Sequence, residues 1–314
     1  MTDVLAAFFS VSVLASAIRI GTPLLLAAAG EMVAERSGTL NLGLEGLMTI
    51  GAFAGFATTS ETGSLWLGIL AAVAASTALA AMLSVLVVTI KVDQVVAGLA
   101  LNLFAVGLSF YLLRAMFDSG GTEVPSVATF KKVDIPVLSD LPVVGEILFS
   151  QHWLTYVAVL LCLGVWFVLN RTVLGLELRS VGHNPEACDM SGIRVYRLQH
   201  LAMLFVGGMS GLAGGFLSLF STGLFFPAIV AGRGWIALAI VIFGNWRLGR
   251  IMAGALFFGF LEAYQLSLQS RGINVPNQLL LALPFVVTIV ALVLNRSRSR
   301  QPLALGVPYL RGQR

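Results

Sequence analysis

Long apolar segments separated by short polar ones run along most of this chain. Most of them approach the length of about 20 residues that an α-helix needs to cross a bilayer. The pattern predicts an all-α polytopic membrane protein, with a first apolar stretch over residues 4–29 and helices over 47–59, 65–89, 94–116, 153–169, 198–221, 235–245, 251–268 and 277–294.

The first apolar stretch is interrupted by a charge, a glycine and a proline, at Arg19, Gly21 and Pro23. Two structures fit this interruption: a tight turn between two short helices, or a kink in one long helix. Counting two short passes gives about ten transmembrane helices in the whole chain. A polar, glycine-rich segment, residues 31–46, then leads into the helix predicted from Leu47.

The polar loop over residues 171–199 is the internal region that is rich in both arginine and acids, and it divides the chain near its middle. Asn184 followed by Pro185 is typical of an N-cap and the first residue of a helix, and Gly192 is typical of the residue that ends a helix. The loop is therefore expected to contain a helix of about two turns lying across the membrane surface. An ordinary solvated loop is the alternative interpretation.

Ten passes would form a single transmembrane domain over residues 1–314, with halves at about 1–170 and 199–294 around the loop 171–198 and a tail over 295–314. Five passes in each half would give the halves opposite orientations, as in transporters with inverted repeats. A short alignment of residues 43–48 with 231–236 points the same way. It places Glu45 and Arg233 at equivalent positions.

Composition supports the membrane class. Hydrophobic residues make up 58% of the chain and charged residues 11%, whereas about 25% is usual for soluble domains. The net charge of +4 comes from basic residues in short loops beside the apolar segments. This placement fits the positive-inside rule better than a nucleic-acid partner, and it predicts that the loop 171–198 and the C-terminus are cytoplasmic.

A charge inside the hydrocarbon layer costs at least about 2–3 kcal/mol and normally faces a cavity or a partner. Glu45, Arg233 and Glu262 are therefore candidates for lining a translocation path, with a structural ion pair or an interfacial position as the alternative. Asn41 and Asn102 could hydrogen-bond a polar solute, although such residues more often bridge neighbouring helices. The glycine-rich run 207–215 predicts close helix packing.

Catalytic and metal chemistry find little support. The three histidines have no ligand-type spacing to cysteines or acids, and no nucleophile elbow, zinc-protease motif or Walker phosphate loop occurs. We expect no catalytic residue, metal or cofactor of its own, and no disulfide between Cys162 and Cys188. A secondary transporter driven by an ion gradient, with Glu45 or Glu262 titrating, remains the alternative from another functional class.

Five stretches carry a resemblance to one family. They are residues 35–48 (ERSGTLNLGLEGLM), 93–102 (DQVVAGLALN), 182–187 (GHNPEA), 231–239 (AGRGWIALA) and 305–310 (LGVPYL). Together they resemble the permease subunits of ABC importers, within the ribose- and branched-chain-amino-acid-type family and its nucleoside and simple-sugar branch. His183 stands where relatives more often have Glu or Gln. The motifs occur in order over almost the whole chain.

The resemblance implies a bacterial inner-membrane importer with partners. Two permease subunits, identical or related, would form the pore, two ATPase subunits would bind ATP and magnesium, and an extracytoplasmic protein would deliver the solute. A nucleoside or purine-like solute is favoured over a simple sugar. The ATPase would act on a coupling helix, which carried onto this sequence comprises Asn184, Pro185, Glu186, Ala187, Asp189 and Gly192.

Overall fold

The computed structural model describes residues 11–117, 126–136, 139, 141, 143–270, 286, 289 and 300–311, and the predicted helix over 277–294 falls almost wholly outside them. Two helices continue as π-helical turns, α3 through Val85–Ile90 and α8 through Leu217–Thr222. The α-helices of this part are α1 Val11–Arg36, α2 Leu44–Thr62, α3 Leu65–Ser84, α4 Gln94–Phe117, α5 Trp153–Arg171, α6 Val173–His183, α7 Pro185–Met190, α8 Val195–Phe216, α9 Arg233–Gly244 and α10 Leu248–Ser270.

Among the described residues, six helices are long and apolar enough to cross a membrane. They are α1, α4, α5 and α10, together with α3 and α8, each of which includes its π-helical turn. The apolar helix α9 is shorter, at 12 residues. The prediction of a multi-pass helical membrane protein is thereby confirmed. The ten passes in two inverted halves stay a prediction.

The interpretation of residues 4–29 as two short passes is wrong, because α1 is one helix with Pro23 inside it. It also continues through Glu31 and Glu35, which belong to the polar, glycine-rich segment over residues 31–46. Gly21 serves packing and not a turn, since a Cβ there would lie 2.9 Å from the carbonyl oxygen of Ala255 on α10. Close packing within the bundle stabilises a helix whose local sequence suggested a break.

The loop 171–199 is more helical than expected. Besides the short helix α7 it contains α6, whose N-cap Thr172 accepts a hydrogen bond from the Gly175 N–H at 3.3 Å. Leu178 and Val181 of α6 are buried against the bundle. This apolar face is the signal in the sequence that could have predicted α6.

A two-stranded antiparallel sheet departs from the all-α prediction. Strands β1, Val133–Asp134, and β2, Ser150–Gln151, pair with Val133 opposite Gln151. The chain just before β1 docks on the end of α8, where the Phe130 N–H donates to the Leu219 carbonyl at 3.0 Å. We call the end of the bundle that carries this hairpin the hairpin end. The opposite end, which carries α6, α7 and residues 300–311, is the tail end.

The glycine-rich run 207–215 packs α8 closely against its neighbours, as predicted. A Cβ at Gly211 would lie 2.6 Å from the Ala72 carbonyl of α3, and one at Gly214 would lie 2.0 Å from the Met48 carbonyl of α2. Backbone-to-backbone contact of this kind requires the absence of a side chain. Helices α1, α2 and α8 carry the largest buried shares of the core and position the site described next.

Candidate functional site

Helix α2 begins among buried residues after the irregular residues 37–43, and α9 begins at partly buried residues after the irregular residues 223–232. Their starts meet through Glu45 in the first turn of α2. Its two carboxylate oxygens accept hydrogen bonds from the backbone N–H groups of Gly232, at 2.7 Å, and Gly234, at 2.8 Å. The carboxylate thus caps α9, where unpaired N–H groups and the helix dipole favour a negative charge.

Glycine at position 234 is required by this approach. A Cβ there would lie 2.6 Å from the Glu45 backbone nitrogen and 2.7 Å from its Cα. The alignment of residues 43–48 with 231–236 therefore marks two segments that touch in space, and this contact places the predicted residues Glu45 and Arg233 side by side in the fold.

Arg233 nevertheless pairs with a different acid. Its guanidinium forms a salt bridge with Glu262 of α10, and its side chain also donates to the carbonyls of Ile229, at 3.1 Å, and Val230, at 3.2 Å. The side chains of the ion pair are 17% and 22% exposed. Glu45, Arg233 and Glu262 thus form one polar cluster that joins α2, α9 and α10.

Asn102 and Asn41 hold the irregular segment that precedes α2. Asn102 of α4 accepts from the Gly46 N–H at 2.7 Å and donates to the Leu42 carbonyl at 2.6 Å. Asn41 donates to the carboxylate of Glu31 at 3.0 Å through its side chain. Both asparagines are buried, and in this structure they satisfy backbone and carboxylate groups that water cannot reach.

A cavity of about 670 Å³ opens at the hairpin end and includes Arg233 in its wall. Its size is within the range of about 300–1,000 Å³ that is usual for small-molecule sites. Aromatic rings form another part of the wall: Phe220 stacks on Phe130 with ring centroids 4.5 Å apart and on Phe216 at 5.2 Å. No motif in the sequence points to these three rings.

His152 also lines this cavity and contacts Phe216 and Phe220 edge to face. Burial, and then the positive charges of Arg19 and Lys132, lower the pKa of His152. The imidazole is therefore neutral near pH 7. The wall combines apolar ring faces, a neutral imidazole and the Arg233 guanidinium.

A second group of interactions that the sequence analysis missed joins α1 to the turn after α9. Glu35, 2% exposed, accepts a hydrogen bond from the Trp246 indole N–H at 2.5 Å. Arg36 donates to the Trp246 carbonyl at 2.7 Å. Asn245 and Trp246 both have positive φ, 52° and 53°, which is an uncommon conformation for such residues.

The predicted coupling residues form the helix α7 and its two ends. Asn184 accepts from the Ala187 N–H at 3.0 Å as the N-cap, Pro185 is the first helical residue, and Gly192 has φ +84°. Glu186 and Ala187 are exposed. The helix therefore presents a polar surface at the tail end.

Residues 300–311 hold α7 from one side. Asp189 accepts a hydrogen bond from the Tyr309 hydroxyl at 3.0 Å and forms a salt bridge with Arg311 at 2.9 Å. Removal from water, followed by the hydrogen bond to Asp189 and its charge, raises the pKa of Tyr309, so the hydroxyl stays a donor. The Ala304 N–H donates to the Gly182 carbonyl at 2.9 Å, which ties the same segment to α6.

Metal and disulfide chemistry are not supported in the described part of the chain. No group of three or more His, Cys, Asp and Glu side chains is placed there to hold a metal ion. Cys162 and Cys188 are both free and buried.

Comparison with known proteins extends over nearly the whole chain. The model of the family described as "Branched-chain amino acid transport system / permease component" matches residues 13–292. The putative glucose ABC transporter permease protein TsgC13 of Haloferax volcanii is 40% identical, over 86% of this chain and 82% of its own length. The guanosine ABC transporter permease protein NupQ of Bacillus subtilis is 36% identical, over 93% and 94%.

A third relative, the nucleoside ABC transporter permease protein NupC of Lactococcus lactis, is 34% identical over 96% of this chain and 97% of its own length. No solved structure matches the chain.

Proposed function

The chain belongs to the family of branched-chain amino acid transport system permease components, and on that premise we propose that it is the membrane-spanning permease subunit of an ATP-driven ABC importer for a nucleoside or purine-like solute. Of the three relatives described above, two are named for nucleosides or guanosine and one for glucose. A simple sugar is therefore the second candidate solute.

The observation that carries the proposal is the cavity at the hairpin end. It joins a stack of aromatic rings to the Arg233 guanidinium at the start of α9. A planar base gains about 1–3 kcal/mol by stacking on an aromatic side chain, and Arg233 offers donors to polar groups of the solute. Arg233, Glu45 and Glu262 would line the path inward, while Asn41 and Asn102 would hold its wall.

The remaining parts of the importer follow from the same proposal. The tail end would face the cytoplasm of a bacterial cell and α7 would be the coupling helix, inserted into an ATPase subunit that binds ATP and magnesium. A second permease subunit, identical or related, would complete the pore, and an extracytoplasmic protein would deliver solute at the hairpin end. The exposure of Glu186 and the N-capped start of α7 support this assignment.

Uptake by the complete complex in proteoliposomes tests the proposal. Guanosine or another nucleoside is expected to enter only with ATP, the ATPase and the binding protein, and ionophores should have no effect. Uptake that persists without the ATPase and collapses with an ionophore would make the chain a secondary transporter. Saturable uptake of glucose without nucleoside uptake would favour the sugar.

The Phe216→Leu variant tests the aromatic wall. We expect a rise of about tenfold in the KM for nucleoside uptake, because the variant keeps apolar volume and loses a stacking face. The matched control is Phe104→Leu, since Phe104 is 51% exposed on α4 and does not line the cavity. An equal KM in the two variants would contradict the assignment of this cavity to the solute.

The Glu186→Lys variant tests the coupling helix. The charge reversal on the exposed face of α7 should abolish ATP-driven uptake while the protein retains its thermal stability, because the Glu186 side chain is exposed. Glu61→Lys, at an exposed position at the end of α2, is the control. Normal uptake with full solute-stimulated ATP hydrolysis in Glu186→Lys would refute the coupling role.

A further inference from the structure

A second large cavity, of about 770 Å³, lies at the tail end and is strongly basic. Four arginines from four different segments line it, namely Arg36, Arg179, Arg247 and Arg300, together with His183. Among the described residues of the wall, none carries a carboxylate. Arg36 and Arg179 are partly buried, whereas Arg247, Arg300 and His183 are exposed. Side chains of like charge repel one another, so their convergence is unfavourable unless an anion offsets it.

No acid forms an ion pair with these arginines among the residues that the structure describes. Among the described residues, the two ion pairs are Arg233 with Glu262 and Arg311 with Asp189, and neither includes an arginine of this cavity. Glu35, the nearest acid in sequence to Arg36, is buried and bonded to Trp246. No acidic residue follows Glu262 in the chain, so the undescribed residues 271–299 supply none either.

Arg36 also carries an unused donor. Its Nη2 donates to the Trp246 carbonyl at 2.7 Å, while its Nε is buried and has no hydrogen-bond partner. A buried donor without a partner is costly and indicates a missing ligand. Planar guanidinium groups with adjacent donors match the oxygens of a phosphate group.

The cavity lies beside the surface expected to face lipid. Trp166 of α5 contributes to its wall and is 45% exposed, and the neighbouring side chains Leu163 and Phe167 are also exposed. The Arg171 guanidinium lies 6.0 Å from the Trp166 ring centroid. An aromatic ring beside arginines at a helix end is typical of a membrane–water interface, where phospholipid headgroups lie.

We propose that the tail-end cavity binds a phosphate group, supplied either by the headgroup of an anionic phospholipid or by a soluble phosphate compound. The arginines would offer several charge-assisted hydrogen bonds. Basic cavities between membrane helices are known to take anionic headgroups. The proposal is independent of the solute that the chain transports.

The test uses the full chain in nanodiscs of phosphatidylcholine, with or without phosphatidylglycerol, and in a third arm with inorganic phosphate at an ionic strength matched by chloride. Native mass spectrometry counts retained lipid and thermal denaturation reports Tm. The cavity variant is Arg179→Gln with Arg247→Gln. The control is Arg197→Gln with Arg250→Gln, which removes the same charge from exposed arginines outside the cavity.

Wild-type protein is expected to retain phosphatidylglycerol selectively or to gain Tm with phosphate. The cavity variant should bind the lipid or the phosphate at least about tenfold more weakly, since each hydrogen bond to a charged group contributes a factor of that order. Lipid retention with no effect of phosphate assigns the site to a headgroup. The reverse result assigns it to a soluble phosphate. Absence of both effects in wild-type protein, or equal losses in the cavity variant and the control, would overturn the proposal.

Discussion

Helices α2 and α9 begin in contact with each other, but their first turns are held by different chemistry. Neutral amides hold the start of α2, where Asn102 bonds the Gly46 N–H and the Leu42 carbonyl. A charge holds the start of α9, where the Glu45 carboxylate accepts the N–H groups of Gly232 and Gly234. The two amide contacts join residues 56 and 60 positions apart in sequence, whereas the carboxylate joins residues 187 positions apart.

This difference suggests a division of roles. We infer that the start of α2 serves mainly the stability of the fold and that the start of α9, beside the cavity that Arg233 lines, serves mainly transport. Three substitutions can break or sharpen this comparison, and they follow in order of expected effect.

The Gly234→Ala variant should have the largest effect. The added methyl would meet the backbone of Glu45 at 2.6–2.7 Å, and backbone atoms cannot rotate away as a side chain can. Overpacking of this kind costs about 1–3 kcal/mol or more, so we expect nearly complete loss of uptake and a clear drop in Tm. Gly249→Ala is the control, because nothing lies within 4 Å of a Cβ there. Equal uptake rates and equal Tm values in the two variants would show that the starts of α2 and α9 are not in contact.

The Asn102→Ala variant should come second. It leaves two buried backbone groups without partners, each at a cost of about 1–3 kcal/mol. The stability measured by denaturant titration should fall, and uptake per folded molecule should stay close to that of the wild type. Asn170→Ala on α5 is the control, since the Asn170 side chain bonds the Trp166 carbonyl at an exposed site. Loss of uptake without loss of stability would place Asn102 on the solute path.

The Glu45→Gln variant should have the smallest effect on stability, about 1–2 kcal/mol, because the amide oxygen still accepts one of the two N–H groups while its NH₂ faces the other. Uptake should fall far more than stability. Tm and initial uptake rate measured on the same preparation separate the two quantities, with Glu61→Gln as the control at an exposed position. Uptake by Glu45→Gln at the wild-type rate would show that Glu45 has a purely structural role.

Much of the helical layout was predictable from hydropathy. The bounds of α4, α5 and α10 lie within about three residues of the predicted ones, since an uninterrupted apolar run has no other stable conformation in a bilayer. The helix α7 was predictable from its N-cap and proline, which act locally. The family resemblance, carried by short ordered motifs, was confirmed by the family match.

The failures share one cause, because each depended on a partner distant in sequence. Residues 19–23 left a turn and one long helix equally open, and the contact of Gly21 with α10 accompanies the continuous helix α1. Arg233 was aligned with Glu45 and pairs with Glu262, since the rotation of α10 decides which acid lies within reach. The aromatic stack at Phe220 joins the chain before β1 to the end of α8, and no local pattern connects these segments.

The amino-acid sequence by itself determined the membrane class, most helix positions, the capped helix α7 and the family, because these depend on apolar length, local capping and short motifs. The tertiary structure alone decided which polar groups meet. It placed the Glu45 carboxylate on the start of α9, set four arginines around one cavity at the tail end, and put aromatic rings in the wall of the other cavity. These contacts depend on how the helices pack and rotate against one another. The hydropathy along a chain does not specify that packing.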